Sequence, residues 1–156
     1  MPILGKLREF LDQHHVEYHV HGHRQAFTAQ EVAEAEHVSG QEVAKVVMVH
    51  SGKEFMMLVL PAPYRVDLVR AGAIVGKPDL ALATEEQFAS IFPGCEPGAM
   101  PPFGNLWGIP VWVDRELTAD EHIVFNAGTH TETVHMRYAD FARLVQPKVA
   151  ALAEED

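Results

Sequence analysis

Residues 43–60 read VAKVVMVH-SGK-EFMMLVL, two apolar runs joined by a short polar segment. Runs of β-branched and aliphatic residues on either side of a glycine-containing turn predict the two strands of a β-hairpin. Both runs are almost continuously apolar, which indicates strands that are buried on both faces. We therefore expect this hairpin at the centre of a sheet with helices packed over it. Lys45 stands out because it is the only charged residue in the first run.

Apolar periodicity predicts the elements around this hairpin. Residues 4–14 carry apolar side chains at helical spacing, and residues 16–20 alternate like a half-buried strand. Two capping boxes, Thr28–Glu31 and Thr84–Gln87, mark the starts of helices. We expect further helices at 66–75, 84–92 and 138–144, and short strands at 111–113, 123–125 and 133–136.

The order of these elements predicts a sheet with helices packed over it. We expect a single domain over residues 1–156, in which the acidic end from about 150 to 156 is a solvated tail. A chain of this length buries about two thirds of the surface that its unfolded form exposes. Such a core needs neither a disulfide nor a metal to be stable.

Composition argues against several classes of protein. No apolar run reaches the roughly 18 residues of a membrane helix, and no signal-peptide pattern begins the chain, so we expect a soluble, cytoplasmic protein with no membrane partner. The net charge of −10 argues against broad, sequence-independent binding to nucleic acid, which requires lysines and arginines against the phosphates. Any contact with nucleic acid is therefore expected to be local.

The segment GCEPGAMPPFG, residues 94–104, contains three glycines and three prolines. Proline lacks the amide hydrogen and glycine has the largest backbone entropy cost, so the segment predicts a stiff surface loop that carries little of the core. Glycine also lets a ligand approach the main chain, and a stiff loop loses little entropy on binding. The loop is interpreted either as a preformed site made of main-chain amides or as a rigid connection.

Lys45 is the first candidate for chemistry. An ammonium group is costly to bury in an apolar strand, so its head should reach either a polar cavity or a carboxylate partner. In a polar cavity it would bind an anion or a carbonyl oxygen. Alternatively, it is a lysine near the end of a strand that extends to water.

Histidine and cysteine offer weaker candidates. His19, His21 and His23 fall on one face if the first strand continues through them, but no cysteine or HExxH spacing supports a metal site there. Cys95 is the only cysteine, which excludes an internal disulfide and leaves a nucleophile, a redox thiol or an inert side chain. We expect no metal and no other cofactor.

The segment NAGTHTE, residues 126–132, follows a predicted strand and combines a glycine turn with an imidazole and a carboxylate. It suits either the second wall of a polar pocket or an ordinary hairpin turn. The sequence contains no GxSxG, P-loop or dinucleotide fingerprint, which disfavours serine hydrolases and nucleotide-driven enzymes.

Three segments together resemble a known family: AKVV at 44–47, GAMPPFG at 98–104 and NAG at 126–128. The chain is similar to the YbaK/prolyl-tRNA synthetase-associated editing domains, from about His23 to Leu144. The resemblance implies an α+β fold with a mixed, largely antiparallel sheet and surrounding helices. Members of that family hydrolyse the ester of mischarged tRNA. The resemblance implies a pocket with neither a metal nor a protein nucleophile, in which water or a substrate group attacks the ester.

The resemblance also implies roles for individual residues. It implies catalytic roles for Lys45, Gly98 and Pro102, with the loop amides holding the aminoacyl ester and Lys45 beside the terminal adenosine or the ester carbonyl. It implies substrate contacts from Ala99, Met100, Pro101, Asn126 and Gly128. His130 is added as a polar neighbour of the turn and is not carried by the shared motif.

The leading hypothesis is a freestanding aminoacyl-tRNA deacylase that acts in trans on the acceptor end of mischarged tRNA, with an aminoacyl-tRNA synthetase as a further partner. The alternative is a non-enzymatic module that binds a small molecule or a protein in the same pocket. Because the chain is acidic, we expect its affinity for intact tRNA to be weak and to depend little on salt.

Overall fold

The computed structural model describes residues 5–22, 31–33, 39–92, 94–96 and 98–154. The helices in these ranges are α1 (Gly5–Gln13), α2 (Leu68–Val75), α3 (Glu85–Phe88) and α4 (Tyr138–Val145). The strands are β1 (Tyr18–Gly22), β2 (Ala44–Ser51), β3 (Glu54–Pro61), β4 (Ala81–Leu82), β5 (Val111–Asp114), β6 (His122–Asn126), β7 (Glu132–Arg137) and β8 (Lys148–Ala150). Short 3₁₀ turns lie at Gly40–Glu42, Ala89–Ile91, Gly104–Trp107 and Arg115–Ala119.

The predicted hairpin forms the centre of a five-stranded sheet with the order β4-β2-β3-β5-β8. β2 and β3 pair antiparallel over their whole length, from Ala44 opposite Pro61 to Ser51 opposite Glu54. β5 and β8 extend the sheet in parallel register, which makes it mixed. The prediction of a central hairpin in an α+β fold is therefore confirmed.

The remaining strands form a separate antiparallel sheet with the order β1-β7-β6. It meets the larger sheet through a single parallel bridge between Val43 and Val124. The predicted mixed, largely antiparallel strands therefore form two sheets, because beyond that bridge β2 and β6 diverge and no further described residues of the two strands pair.

The largest core lies between the two sheets. Phe103 is fully buried there, and its ring centroid lies 5.5 Å from that of Phe125 and 5.4 Å from that of Phe141. Ala99, Met100 and Phe103 are all buried, so the loop from 99 to 104 supplies part of this core. The prediction of a surface loop that carries little of the core was wrong, because the side chains of Met100 and Phe103 pack in the large core.

A second core covers the other face of the five-stranded sheet. It packs Val49, Leu58 and Leu60 against α2 and the C-terminal segment around Leu152. Asp114 is buried beneath that segment, and its carboxylate accepts hydrogen bonds from the N–H groups of Leu152 (2.9 Å) and Ala153 (3.2 Å). Leu152 and Ala153 of the predicted solvated tail are therefore buried, and residues 155–156 lie outside the described part of the chain.

The helices predicted at 4–14, 66–75 and 138–144 are present, and the helix predicted at 84–92 is shorter than expected. The capping box of Thr84 and Gln87 is present in both directions, but α-helix ends at Phe88 and the turn continues as 3₁₀. The second predicted capping box, Thr28–Glu31, lies largely outside the described residues. β4 and β8 were not predicted, because two or three residues carry too little periodicity to be recognised.

Asp120 provides a test of this packing. Its Oδ2 atom is buried with no hydrogen-bond partner among the described residues, and burial together with the charge of Glu42 raises the pKa of Asp120 to about 6. The ionised carboxylate therefore opposes folding above that pH, and the penalty fades as the pH falls toward the unfolded-state pKa. We expect Asp120→Asn to raise Tm near neutral pH, with a smaller gain at about pH 4.

The matched control is Asp79→Asn, because a hydrogen bond from Ser51 lowers the pKa of Asp79. This substitution should have the opposite effect: it should lower Tm near neutral pH, and the loss of Tm should become smaller in acid. Thermal melts of both variants against pH check the pair. Equal effects of the two substitutions would contradict the argument.

Candidate active site at the end of strand β6

A tight turn at Glu96–Ala99 is the first part of the site. The Ala99 N–H donates to the Glu96 carbonyl over 3.0 Å, and Gly98 has a φ of +82°. That left-handed conformation is the one that a type II turn requires at its third residue. Gly98 is therefore glycine for the sake of the turn itself, whether or not a ligand approaches it.

Gly128 joins this turn to the segment after β6. Glu96 N–H donates to the Gly128 carbonyl over 2.8 Å, and Gly128 N–H donates to the Ala99 carbonyl over 2.9 Å. The Glu96 carboxylate also accepts a hydrogen bond from His130 N–H at 3.3 Å. The two segments that were singled out separately in the sequence thus form one hydrogen-bonded unit.

Several polar groups of this unit have no hydrogen-bond partner among the described residues. They are the N–H donors of Gly98 and Met100 and the buried Oδ1 acceptor of Asn126. Buried polar groups in proteins almost always have partners, so an uncommitted acceptor marks a position that a ligand can occupy. The arrangement offers two donors and one acceptor around the end of β6.

Strand register brings Lys45 to the same region. The bridge between Val43 and Val124 runs parallel, so Lys45 and Asn126 occupy corresponding positions two residues further along the diverging strands. Val43 and Val124 pack in one small apolar cluster, while Phe125 belongs to the large core. By alternation, Lys45 and Asn126 both point to the face of Val43 and Val124, away from the large core.

Electrostatics distinguish Lys45 from a surface lysine. Burial, and secondarily the charge of Arg65, lowers the pKa of Lys45. No described residue forms a hydrogen bond or an ion pair with its ammonium group. A half-buried cation beside a second cation and without a counterion suits an anionic or carbonyl ligand.

The rest of the loop contributes main chain to the site. Met100, Pro101 and Pro102 are buried, and the Met100 side chain packs in the large core. The ammonium group of Lys45 forms no hydrogen bond or ion pair with the described residues of the loop. Direct contacts therefore join four residues of the site, Gly98, Ala99, Gly128 and His130. Asn126 and Lys45 are assigned to the site because strand register places them at corresponding positions.

Two carboxylates beside the turn were not predicted as part of the site. Glu96 holds His130 as described above, and Glu85 at the start of α3 lies close to Gly98, since a Cβ on Gly98 would be 3.9 Å from its Oε1. Arg65 was also missed. No local pattern marks these residues, because their positions depend on contacts between distant segments.

Cys95 lies beside the turn and is half-buried. Burial raises the pKa of its thiol to about 11, so the thiolate is scarce near neutral pH. We expect the wild-type thiol to react slowly with iodoacetamide, and we expect Cys95→Ala to leave any hydrolytic activity of this site unchanged. A large loss of activity, at unchanged Tm, would instead make Cys95 part of the reaction.

The histidines of β1 show no arrangement suited to a metal ion. His19 and His21 are exposed on an edge strand, and His19 Nε2 lies 3.6 Å from a Glu17 carboxylate oxygen. No group of three or more metal-ligating side chains occurs among the described residues. His23, the third histidine of the predicted cluster, lies outside them.

Comparison with known proteins agrees with this geometry. The aminoacyl-tRNA editing domain family matches residues 23–144, which include every residue of the site. The chain belongs to this family. Editing domains of this kind are associated with the removal of wrong amino acids from tRNA, and the expected resemblance is confirmed. Among curated proteins, none matches the sequence.

Solved structures confirm the fold of this editing domain. A "putative trans-editing enzyme for prolyl tRNA synthetase" is 23% identical, with 96% of each chain covered and a TM-score of 0.83. A hypothetical protein is 20% identical over 96% of this chain and 99% of its own, with a TM-score of 0.85. A putative signal transduction protein from Marinobacter aquaeolei VT8 is 15% identical over 99% of this chain and 31% of its own, with a TM-score of 0.76.

None of the helices in the described part of the chain is long and apolar enough to cross a membrane.

Proposed function

We propose that this editing domain is a freestanding deacylase that acts in trans and hydrolyses the ester of mischarged tRNA. The observation that carries the proposal is the hydrogen-bonded unit of Glu96–Ala99 and Gly128, with its uncommitted donors and acceptor. Ester hydrolysis develops negative charge on the carbonyl oxygen, and preorganised N–H groups stabilise that charge. The N–H groups of Gly98 and Met100 are suited to this task.

The proposed roles follow from the chemistry of each group. The Asn126 Oδ1 atom accepts a hydrogen bond from the α-ammonium group or from a ribose hydroxyl. Lys45 binds the developing oxyanion or the terminal adenosine from the neighbouring strand. Gly98 holds the turn in shape, Pro102 stiffens the loop that follows it, and Ala99, Met100, Pro101 and Gly128 contribute main chain to the site.

Water or a substrate hydroxyl serves as the nucleophile in this proposal. The raised pKa of Cys95 makes its thiol unsuitable, and an aminoacyl ester is reactive enough that positioning contributes more than a strong base. His130 N–H is held by Glu96, so the imidazole has a defined position beside Gly98, where a Cβ would lie 3.7 Å from its Cε1. We assign His130 to substrate contact.

The decisive experiment incubates the purified chain with a panel of mischarged tRNAs and measures release of the amino acid. Turnover on at least one member, with correctly charged tRNA spared, is the expected result. The Gly98→Val variant, assayed per folded molecule, is the negative control. If no mischarged tRNA of the panel is hydrolysed although uncharged tRNA binds, the chain is a binding module and the proposed function fails.

Partner dependence is measured in the same assay. The net charge of −10 leaves few cations for phosphates, so a synthetase that delivers the tRNA is the proposed second partner. Addition of prolyl-tRNA synthetase should then raise the deacylation rate at low enzyme concentration. An unchanged rate would leave the domain acting alone.

A further inference from the structure

A cavity of about 790 Å³ opens at one end of the five-stranded sheet. β3, β5 and β8 run parallel there, and the cavity is lined chiefly by residues at and after their carboxyl ends. Ligands commonly bind outside the carboxyl ends of parallel strands. We call this space the arginine cavity. Its charged lining residues are Arg65, Arg70, Asp114, Arg115, Glu116 and Glu154.

Three arginines give the arginine cavity its hydrogen-bond donors. Arg65 and Arg115 are exposed, and the Arg65 guanidinium forms no hydrogen bond or ion pair with any described residue. The ion pair of Arg115 with the neighbouring Glu116 spans 3.9 Å, which is too long for a hydrogen bond. Arg70 Nη1 donates to the Ala153 carbonyl over 3.2 Å, so this side chain is held in place and keeps its charge. Arg65 and Arg115 therefore have N–H donors to offer to a ligand.

The carboxylates of the lining offset these charges only in part. Asp114 is buried, and its carboxylate accepts hydrogen bonds from the N–H groups of Glu116 (3.1 Å), Leu152 (2.9 Å) and Ala153 (3.2 Å). These three main-chain donors stabilise the charge of Asp114 where it lies. Glu116 and Glu154 remain as exposed carboxylates against three arginines. The cavity thus has a local excess of positive charge on a protein whose net charge is −10.

Arg65 connects the arginine cavity with the candidate active site. Lys45 lies opposite Leu60 near the end of β3, and a turn closed by the Tyr64 N–H and the Pro61 carbonyl (3.0 Å) leads the chain on to Arg65. Burial, and then the charge of Arg65, lower the pKa of Lys45, and no described carboxylate acts to raise it. Lys45 and the cavity therefore share one positively charged edge of the protein. A ligand held at Lys45 can present its next anionic groups to Arg65.

We propose that the arginine cavity binds backbone phosphates of the acceptor arm of tRNA, with the guanidinium groups of Arg65 and Arg115 as donors and Arg70 as a fixed positive charge. The inference rests on the proposed function for the nature of the substrate. Guanidinium groups hold phosphate oxygens through paired N–H donors, which suits them to this contact. The cavity explains how an acidic chain holds RNA locally, through a few phosphates and with a shallow dependence on salt.

The test measures binding of uncharged tRNA by fluorescence anisotropy over a series of KCl concentrations. The double variant Arg65→Gln/Arg115→Gln should bind about tenfold or more weakly at about 0.1 M salt, because two phosphate contacts are lost. The slope of log affinity against log salt should become shallower by about 1.5. The matched control, Arg8→Gln/Arg143→Gln, removes the same charge from exposed helix positions outside the cavity and should keep the wild-type affinity and slope.

A further variant separates charge from a structural role. Arg65→Lys/Arg115→Lys keeps both charges, so its salt slope should stay close to that of wild type. Three results would each overturn the inference: an unchanged slope in the glutamine variant, equal losses in the glutamine variant and the control, or an equal loss of slope in the lysine variant.

Inorganic phosphate and ATP test whether the cavity serves a small free phosphate instead. Neither should bind tightly to the wild-type chain. Tight binding of either one that is lost in the glutamine variant, with tRNA binding unchanged, would overturn the inference.

The outcome is separable from that of the proposed function. Because the probe tRNA is uncharged, a failure of deacylation leaves the binding result unaffected. Where mischarged tRNA is hydrolysed, the glutamine variant should raise KM and leave kcat nearly unchanged, since the lost contacts lie outside the reacting groups. An unchanged KM would overturn the role of the arginine cavity and leave the proposed function intact.

Discussion

The Lys45→Met variant is expected to lose deacylation by about a hundredfold or more, the loss typical for removal of one group that stabilises a developing oxyanion. Methionine retains the apolar stem and removes the ammonium group. That group forms no hydrogen bond or ion pair with any described residue. The charge is partly desolvated and repelled by Arg65, so its removal should not lower Tm. Lost activity with undiminished stability would identify a group retained for function.

The matched control is Lys53→Met, because Lys53 lies exposed in the β2–β3 turn of the same hairpin. It should keep full activity. The pH dependence of stability gives an independent check, since the folded-state pKa of Lys45 is below its unfolded value. Wild-type stability should gain from deprotonation of Lys45 as the pH rises from the folded toward the unfolded pKa, and the Met variant should lack that gain. Full activity of Lys45→Met would remove Lys45 from the site.

Gly98→Val should also lower single-turnover deacylation by about a hundredfold, because a displacement of about 1 Å of the reacting groups has an effect of that size. A Cβ at Gly98 would already lie 3.7 Å from His130 Cε1 and 3.9 Å from Glu85 Oε1, so the methyl branches of valine have to enter the space between them. The left-handed φ of +82° adds about 1–2 kcal/mol of strain to any side chain. The rate is therefore compared per folded molecule.

Two further variants separate obstruction from strain. Gly76→Ala has a similar φ of +78° with no atom within 4 Å of the new Cβ, so it should lose stability and keep activity. The deacylation rate of Gly98→Ala should lie between that of Gly76→Ala and that of Gly98→Val. Pro102→Ala relaxes the loop without filling the site, and its milder defect should appear as looser positioning, together with some loss of core packing around buried Pro102. If Gly98→Val loses activity only in proportion to its unfolded fraction, the loop is a structural connection.

The sequence predicted those elements whose signals are local and strong. The hairpin at 43–60 is long and apolar enough to be recognised, and the capping box at Thr84–Gln87 uses side chains that reach only their own first turn. The short strands β4 and β8 have no such signal. Their formation depends on pairing with strands far away in the chain.

The residues of the candidate site were recognised by type and by family resemblance, but their arrangement was not. Gly98 and Gly128 are 30 positions apart, and the hydrogen bonds that join their segments exist only in the folded chain. The predicted reason for Gly98 was close approach of a ligand, whereas the turn at Glu96–Ala99 already requires glycine there. Both reasons predict the same residue, and only the backbone conformation distinguishes them.

The sequence by itself determined the central hairpin, the α+β class and the family of this protein, because apolar periodicity, turn residues and motif residues are properties of short segments. Only the tertiary structure decided that Lys45 and Asn126 share a face, that His21 stacks on His135, and that Glu96 holds His130. Those relations depend on strand register. A shift of register by one residue would turn every side chain to the opposite face, so no local pattern can determine them.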